Sequence, residues 1–374
     1  MKIGIMSMQR VKNYGSFLQA YALKSTLEKM GNSVEFVDYT VEPPIIYSNT
    51  RNLKTVLKKY IRKIRNFVKN SREKFIFSVL FGVKSQASNY DKSKHFSEIY
   101  NQKFLPELGI DVEKRNIRPN VDTLIIGSDE VFNCLQGAGV GYSKELFGYK
   151  ANSARKISYA ASFGFTTYEK LINFGIYEEL KAMLKEFNAL SARDDNTVNI
   201  LEKMGFDCEQ NIDPVLIYDF SDEIIEKESD KYMLIYSYTA ALSTNQKIKI
   251  LEFAKKHNLK TICMGCYQNF CDEYIVASPF EVLGYFKNAD YVVTSTFHGT
   301  VLSIKYNVSF VTIVKQYNEQ KLESLLQKFL LTDRIIRDNR EIKIKLEKNI
   351  EYDRVNRIIK EEKLKALEYL EQNV

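Results

Sequence analysis

The sequence predicts an α/β protein with two parallel sheets that face each other across a cleft, followed by a helix at the carboxyl end. Three observations predict this class. Short apolar runs alternate with segments of helical periodicity, this alternation occurs twice, and a polar stretch at 219–231 separates the two series. A length of 374 residues also suits two domains.

The first series opens with a β-α-β unit. Residues 2–8 predict a buried strand, residues 15–30 an amphipathic helix and residues 33–39 a second strand. Such a unit forms a parallel pair with a right-handed crossover, so we expect a Rossmann-like domain. After an interruption at about 40–120, the alternation resumes with strands at 121–127, 156–163 and 188–193 and helices at 168–187 and 195–204.

The second series repeats the pattern. Strands are predicted at 232–239, 259–265, 290–295 and 308–314, and helices at 243–257, 279–288, 297–306 and 318–331. The charged tail at 340–374 is predicted to be mainly one long helix. We therefore expect an amino-terminal domain at 1–220 with a basic helical insertion around 50–105, a carboxyl-terminal domain at 230–340 and a helical tail at 341–374.

Composition excludes several classes of protein. The chain is 45% apolar and 27% charged, which excludes wholesale disorder. Five cysteines suit a reducing compartment better than a disulfide framework. No apolar run approaches the roughly 20 residues of a membrane-spanning helix, and a strand-like run begins at once, leaving no room for a signal peptide. We expect a cytoplasmic protein.

The positive charge is concentrated in one segment. Residues 51–74 contain ten Lys or Arg and one acidic residue, whereas the whole chain carries a net charge of +7. The remainder is slightly acidic, so a nucleic-acid binder is not expected. A basic amphipathic helix at 51–74 is most often a solvated face, but it also suits an anionic membrane surface, so peripheral contact at the inner face of the membrane is a second expectation.

Two candidate motifs follow strands in the amino-terminal half. Asn13, Gly15 and Ser16 precede or begin a helix whose amino terminus could bind an anion, although a tight turn capped by Ser16 would look the same. The segment matches neither GxGxxG nor GxxxxGK[ST]. Ser128 and Asp129 end another strand, where Asp129 could act as a general base or contact a sugar hydroxyl, or simply cap a helix.

Two more motifs end later strands. Arg193 could clamp a carboxylate or phosphate, or pair at the surface with Asp194 or Asp195. In the block TSTFHGT, His298 stands where a side chain, backbone donors and a helix dipole would converge on a phosphate, although a lone histidine is more often structural. The neighbouring candidates for substrate contact are Ser295, Thr296, Phe297 and Gly299.

The cysteines give only a weak metal signal. Cys263, Cys266 and Cys271 lie close in sequence, but a zinc site would need a fourth ligand, and His257 has no partner at zinc-finger spacing. We expect no metal.

Taken in order, the blocks resemble the polysaccharide pyruvyl transferase family. The resemblance covers about residues 3–320 and rests on GIMSMQRVKNYGSFLQAYALKSTLEKMG with VEFVDY, then IIGSDEVFN, ISYAASFG, LSARDD, DPVLI and TSTFHGTVLSIKYNVSFV. It implies a fold of two facing Rossmann-like domains, similar to that of GT-B glycosyltransferases. It also implies transfer of the pyruvyl group of phosphoenolpyruvate to two hydroxyls of a sugar, forming a cyclic ketal and releasing phosphate.

The resemblance suggests roles for the candidate residues. Arg193 would hold the anion, His298 would bind phosphate or act as general acid, and Asp129 would contact a hydroxyl or act as base. Asn13, Gly15, Ser16, Ser128, Ser295, Thr296, Phe297 and Gly299 would contact substrate. No cofactor is expected beyond phosphoenolpyruvate as donor, and the acceptor would be a sugar of an exopolysaccharide or capsule, or its lipid-linked precursor.

The sequence departs from the family pattern at three positions. Some members carry Arg where Thr296 stands, and Gln and Trp are more usual than Glu130 and Phe132 in the GSD block. Losing the arginine weakens the expected anion clamp, and Glu130 adds negative charge beside it. Two alternatives therefore stay open, a sugar-nucleotide-dependent glycosyltransferase of similar fold and a non-catalytic subunit in polysaccharide assembly.

Overall fold

The protein folds into two parallel sheets of six strands, one from each half of the chain. The computed structural model describes residues 1–45, 68, 71–82, 95–137, 142–226, 230–238 and 241–374. The predicted α/β class with two Rossmann-like halves and a carboxyl-terminal helix is confirmed.

The first sheet has the order β2-β1-β3-β4-β5-β6, and all its pairs are parallel. Its strands are β1 (Lys2–Met6), β2 (Ser33–Phe36), β3 (Val121–Asp129), β4 (Ser153–Ala161), β5 (Ser191–Ala192) and β6 (Glu209–Gln210). The named α-helices of this half are α1 (Tyr14–Lys29), α2 (Tyr168–Asn173), α3 (Tyr177–Leu184), α4 (Asp195–Lys203) and α5 (Pro214–Ile217). Further helical turns lie at 71–81, at 95–107 and at Lys144–Phe147.

The second sheet has the order β12-β11-β10-β7-β8-β9, again parallel throughout. Its strands are β7 (Tyr232–Tyr236), β8 (Lys260–Met264), β9 (Glu273–Ile275), β10 (Tyr291–Thr294), β11 (Ser309–Ile313) and β12 (Ile335–Ile336). The helices are α6 (Thr244–Lys256), α7 (Pro279–Lys287), α8 (Phe297–Lys305), α9 (Glu319–Lys328), α10 (Glu341–Glu347) and α11 (Tyr352–Asn373), with a 3₁₀ turn at Thr332–Arg334.

Each sheet reverses its strand order at one point. The reversal lies between β1 and β3 in the first sheet and between β7 and β10 in the second. Chains leaving neighbouring strands there turn to opposite faces of the sheet and open a crevice at the carboxyl ends. The segments that follow these four strands are therefore where a ligand is expected.

One predicted helix is divided in the structure, and another lies mostly outside the described residues. The helix predicted at 168–187 is split into α2 and α3, because Gly175 adopts a left-handed conformation with φ of 69° between them. The tail is mainly one long helix, α11, as predicted, and the short helix α10 precedes it. The basic helix predicted at 51–74 lies outside the described residues except for residues 68 and 71–74.

The segment of the insertion at 71–81 packs against the second half of the chain. On the helix at 71–81, Glu73 accepts hydrogen bonds from Lys247 Nζ at 2.8 Å, Thr244 Oγ1 at 2.5 Å and Asn269 Nδ2 at 3.0 Å. Phe77 is completely buried in the core beside β7 and α6. The insertion thus ties the two halves together.

Two further contacts hold the halves together. The Tyr14 hydroxyl, at the start of α1, donates to the carbonyl oxygen of Ala277 at 2.9 Å and accepts from its N–H at 3.1 Å. Helix α11 returns to the first half, where Tyr369 donates to the carbonyl oxygen of Ser158 at 2.8 Å. Tyr14 directly precedes Gly15 and Ser16, so this contact fixes one wall of the crevice.

Candidate active site

A cavity of about 370 Å³ lies where the two strand-order reversals face each other. Its walls come from the segments after β1, β3, β7, β8 and β10, with one contribution each from the helical segment at 95–107 and from α9. The lining residues are Met8, Val11, Lys12, Asn13, Tyr14, Gly15, Ser16, Phe96, Asp129, Glu130, Gln136, Tyr236, Ser237, Tyr238, Met264, Gly265, Cys266, Thr296, Phe297, His298 and Lys321.

One wall is built by the start of α1 and the end of β3. Asn13 caps α1, because its side-chain oxygen accepts from the Ser16 N–H at 2.7 Å. The cap is therefore Asn13, and not Ser16 as the tight-turn alternative would have it. The Ser16 hydroxyl is free to donate to Asp129 Oδ2 at 3.0 Å, which joins the two segments.

His298 faces this wall from the start of α8. A side chain at Gly15 would have no room, since a Cβ there would come within 2.3 Å of His298 Nδ1. The imidazole is thus packed directly against the first turn of α1. Its Nε2 lies 3.5 Å from Asp213 Oδ2, and Asp213 is fully buried behind the cavity wall. One ring nitrogen faces a fixed carboxylate and the other faces the helix amino terminus.

Arg193 lies behind the cavity and does not line it. Its guanidinium donates to Asp213 Oδ2 at 2.9 Å and contacts Asp129 Oδ1 at 3.4 Å, and the side chain is only 2% exposed. Its Cζ also lies 4.0 Å from the ring centre of Phe297. The surface pairing considered from the sequence is absent, because Asp194 caps α4 and Asp195 accepts from Gln210. Arg193 joins the two aspartates that flank the site.

These contacts keep both aspartates ionised. Burial raises the pKa of Asp129, but the charges of Arg193, His298 and Lys321 outweigh it and hold the pKa below its usual value. Burial also raises the pKa of Asp213, and His298 and Arg193 again reverse the effect. At neutral pH both groups are therefore carboxylates, able to accept hydrogen bonds but not to donate them.

Lys321, which sequence analysis did not single out, supplies a cation inside the cavity. Its ammonium group pairs with Glu130 Oε1 across the gap between the two halves. Lys321 lies within α9 and follows no strand, so its position carried no signal in the sequence. Asp213 was also missed as a site residue, because the strand before it, β6, has only two residues.

The predicted site residues divide into two groups. Those that line the cavity are Asn13, Gly15, Ser16, Asp129, Thr296, Phe297 and His298. Those that do not are Ser128, Arg193, Ser295 and Gly299. Ser128 is fully buried and donates to the carbonyl oxygen of Ala160, and Ser295 is fully buried within hydrogen-bond distance of Ser237. The N–H of Gly299 donates to Thr296 Oγ1, so Thr296 caps α8.

Three of the five thiols lie on β8 or in the segment that follows it. Cys263 and Cys271 are buried, whereas the partly exposed Cys266 lines the cavity. Among the described residues, no group of three or more His, Cys, Asp or Glu side chains is arranged to hold a metal ion.

One family of known proteins matches most of the chain in sequence. A family model described as polysaccharide pyruvyl transferase matches residues 13–316. No curated protein matches the chain.

Similar solved structures include three sugar-acting enzymes. The O-GlcNAc transferase of Thermobaculum terrenum has a TM-score of 0.43 and 9% identity, covering 98% of this chain and 64% of that one. The UDP-GlcNAc 2-epimerase of Neisseria meningitidis has a TM-score of 0.44 and 10% identity, covering 98% and 100%. The glycosyltransferase SsfS6 of Streptomyces sp. SF2575 has a TM-score of 0.43 and 10% identity, covering 100% and 99%.

Proposed function

This chain belongs to the polysaccharide pyruvyl transferase family, and from that premise we propose that it transfers the pyruvyl group of phosphoenolpyruvate to two hydroxyls of a sugar. The double bond of the donor gains a proton at C3, and C2 then binds both sugar oxygens as phosphate leaves. The two sugar hydroxyls lose two protons in total. One of them balances the proton added to C3, and the other leaves with phosphate. The reaction needs a grip on two anionic groups, an acid and a base.

The observation that carries the proposal is the meeting of His298, Asp129 and Lys321 in one cavity between two helix amino termini. Helices α1 and α8 begin at Tyr14 and Phe297, both in the cavity lining. The first N–H groups of a helix have no partner within it, and the helix dipole favours an anion there. Two such termini and an ammonium group suit a donor with a carboxylate and a phosphate.

The departure at Thr296 is compatible with this chemistry. Thr296 caps α8 and carries no charge, so it gives no cationic contact. We propose that Lys321 supplies the positive charge that an arginine would give at that position. Arg193, held by two aspartates, would then act by fixing Asp129 and Asp213 and not as the direct clamp expected from the sequence.

The proposed roles follow from charge and position. His298 would donate the proton or bind phosphate, since its imidazole is in the lining and histidine is the side chain most often used for proton transfer in catalysis. The Asp129 carboxylate would accept a proton or a hydrogen bond from a sugar hydroxyl. Tyr238, also in the lining, is 48% exposed and offers an apolar ring on which a sugar could stack.

The test of the donor is titration of phosphoenolpyruvate into the purified full-length protein by calorimetry. We expect saturable binding, and release of inorganic phosphate only when an acceptor sugar is added. Pyruvate together with inorganic phosphate is the control, because it offers the same groups unlinked. Binding of a nucleotide sugar in place of phosphoenolpyruvate would favour the glycosyltransferase alternative. Absence of binding to either would favour the non-catalytic one.

We also propose peripheral contact with an anionic membrane, where a lipid-linked acceptor would lie. On the helix at 71–81, Phe75, Val79 and Leu80 are 71%, 66% and 56% exposed, and the basic run at 51–74 overlaps this segment in the sequence. None of the helices within the described part of the chain combines the length and the hydrophobicity needed to span a bilayer.

Vesicle sedimentation tests this contact. The native protein should sediment with vesicles containing anionic lipid and remain in the supernatant with neutral ones. Neutralising Lys58, Lys59, Arg62 and Lys63, or replacing Phe75 and Val79 by serine, should each reduce the bound fraction. Equal sedimentation of the native protein and both variants would contradict the proposal.

A further inference from the structure

The ion pair between Lys321 and Glu130 lies in the cavity lining, and an ion pair that served only to stabilise the fold would not need to lie there. It links α9 of the second half to the loop after β3 of the first, and both groups are in the cavity lining. The two side chains are only 13% and 19% exposed. Each charge is thus the nearest counter-charge to the other at the place where a ligand would enter.

The two partners are held to different degrees. Glu130 Oε2 accepts from Asn133 Nδ2 at 2.6 Å, and Asn133 Oδ1 in turn accepts from Thr166 Oγ1 at 2.8 Å. A side-chain network of the first half therefore fixes the carboxylate. Among the described residues, the Lys321 ammonium group donates a hydrogen bond to Glu130 alone. The lysine is the partner that can change its contact.

Both groups carry their charge in the unliganded protein. Burial lowers the pKa of Lys321, but Glu130 and Tyr238 outweigh it and the pKa is raised. Burial raises the pKa of Glu130, and the charge of Lys321 reverses this. A carboxylate in the cavity would repel an anionic substrate, unless its function is to occupy the lysine until that substrate arrives.

We infer that Lys321 is an anion-binding residue of the donor site and that Glu130 is its counter-ion in the empty state. This inference rests on the proposed function, under which the anion is the phosphate or carboxylate of phosphoenolpyruvate. When phosphoenolpyruvate binds, that anionic group displaces Glu130 from the ammonium group of Lys321. Because the pair joins the two halves, this exchange also releases a contact across the cavity. Glu130 is then free to accept a hydrogen bond from a sugar hydroxyl.

The inference predicts that substitutions of Lys321 and of Glu130 have opposite effects on anion binding. Lys321→Met should weaken anion binding by about tenfold to one hundredfold, the usual effect of losing a charge-assisted hydrogen bond. Glu130→Gln should strengthen it by about threefold to tenfold, since the lysine no longer has a competing carboxylate. Lys321→Arg should retain binding, and Lys255→Met, at an exposed position of α6, should leave it unchanged.

The double variant separates competition from simple repulsion. If Glu130 acts by occupying Lys321, Glu130→Gln should gain little in the Lys321→Met background. An equal gain in both backgrounds would mean that Glu130 only repels the ligand, and the inference would fall. Thermal unfolding of each variant shows whether it is folded. If Lys321→Met does not fold, Lys321→Arg keeps the test valid.

Calorimetric titrations with phosphoenolpyruvate and, separately, with inorganic phosphate distinguish the two proposals. Lys321-dependent binding of both ligands supports both. Binding of phosphoenolpyruvate that Lys321→Met does not change overturns the inference and leaves the proposed function standing. Lys321-dependent binding of phosphate without binding of phosphoenolpyruvate supports the anion site and overturns the donor. Binding of neither overturns both.

Discussion

Replacing His298 by alanine should reduce the rate of the proposed ketal formation by about 10²–10⁴-fold, the usual contribution of a positioned general acid or base. The imidazole lies in the cavity lining, packed against Gly15 on one side and 3.5 Å from the Asp213 carboxylate on the other. No other histidine lines the cavity in the described structure, so no neighbouring imidazole can take over the proton transfer.

The His298→Ala result needs two comparisons. His95→Ala removes an exposed imidazole and should leave the rate unchanged. His298→Gln fills much of the same space but has no imidazole to transfer a proton, and it should be nearly as slow as alanine. Phosphate release measured with a saturating acceptor provides the rate. A His298→Gln variant with native activity would show that the ring only fills space, which contradicts the proposed role.

Replacing Arg193 by methionine should lower the free energy of unfolding by about 3–5 kcal/mol, because it leaves the Asp129 and Asp213 carboxylates without their shared cation. Arg193 is 2% exposed and contacts both groups. Urea unfolding measures the loss. Arg340→Met removes a fully solvated guanidinium paired with Asp338 and should change stability little. Unchanged stability with weakened donor binding would instead indicate the direct clamp expected from the sequence.

The same variant should be more sensitive to acid. The pKa values of Asp129 and Asp213 are lowered in the folded state. Their contribution to stability is therefore fully present above the unfolded value of about 3.9 and is lost as the pH falls through the lower folded values. Without Arg193 the folded pKa values rise, and the acid unfolding midpoint should move to higher pH.

Most of the fold was predictable because long apolar runs and helical periodicity are local signals. Helix α1 and the strands before and after it match the prediction within a few residues. The short strands β6, β9 and β12 were not predicted, since two or three residues give no periodicity and are fixed by their neighbours in the sheet. The break at Gly175 was missed for a related reason, because the apolar spacing continues through it.

Two of the predicted strand-end residues lie in the cavity lining. Asp129 ends β3, and His298 comes four residues after the end of β10. Arg193 also follows a strand, yet it is turned away from the cavity by carboxylates at positions 129 and 213, which are distant in sequence. Lys321 is brought in by tertiary packing alone. A residue's position at the end of a predicted strand places it at the edge of the sheet. That position does not determine which side chains along the edge face the ligand.

The return of α11 to the first half has a consequence for synthesis on the ribosome. Tyr369 and Leu370 are buried, and the Tyr369 ring lies 6.2 Å from that of Tyr159 on the central strand β4. The first sheet is translated more than 150 residues before this cover. Until α11 has been synthesised, the first half of the chain lacks this cover, and the surface around Tyr159 that α11 buries stays uncovered.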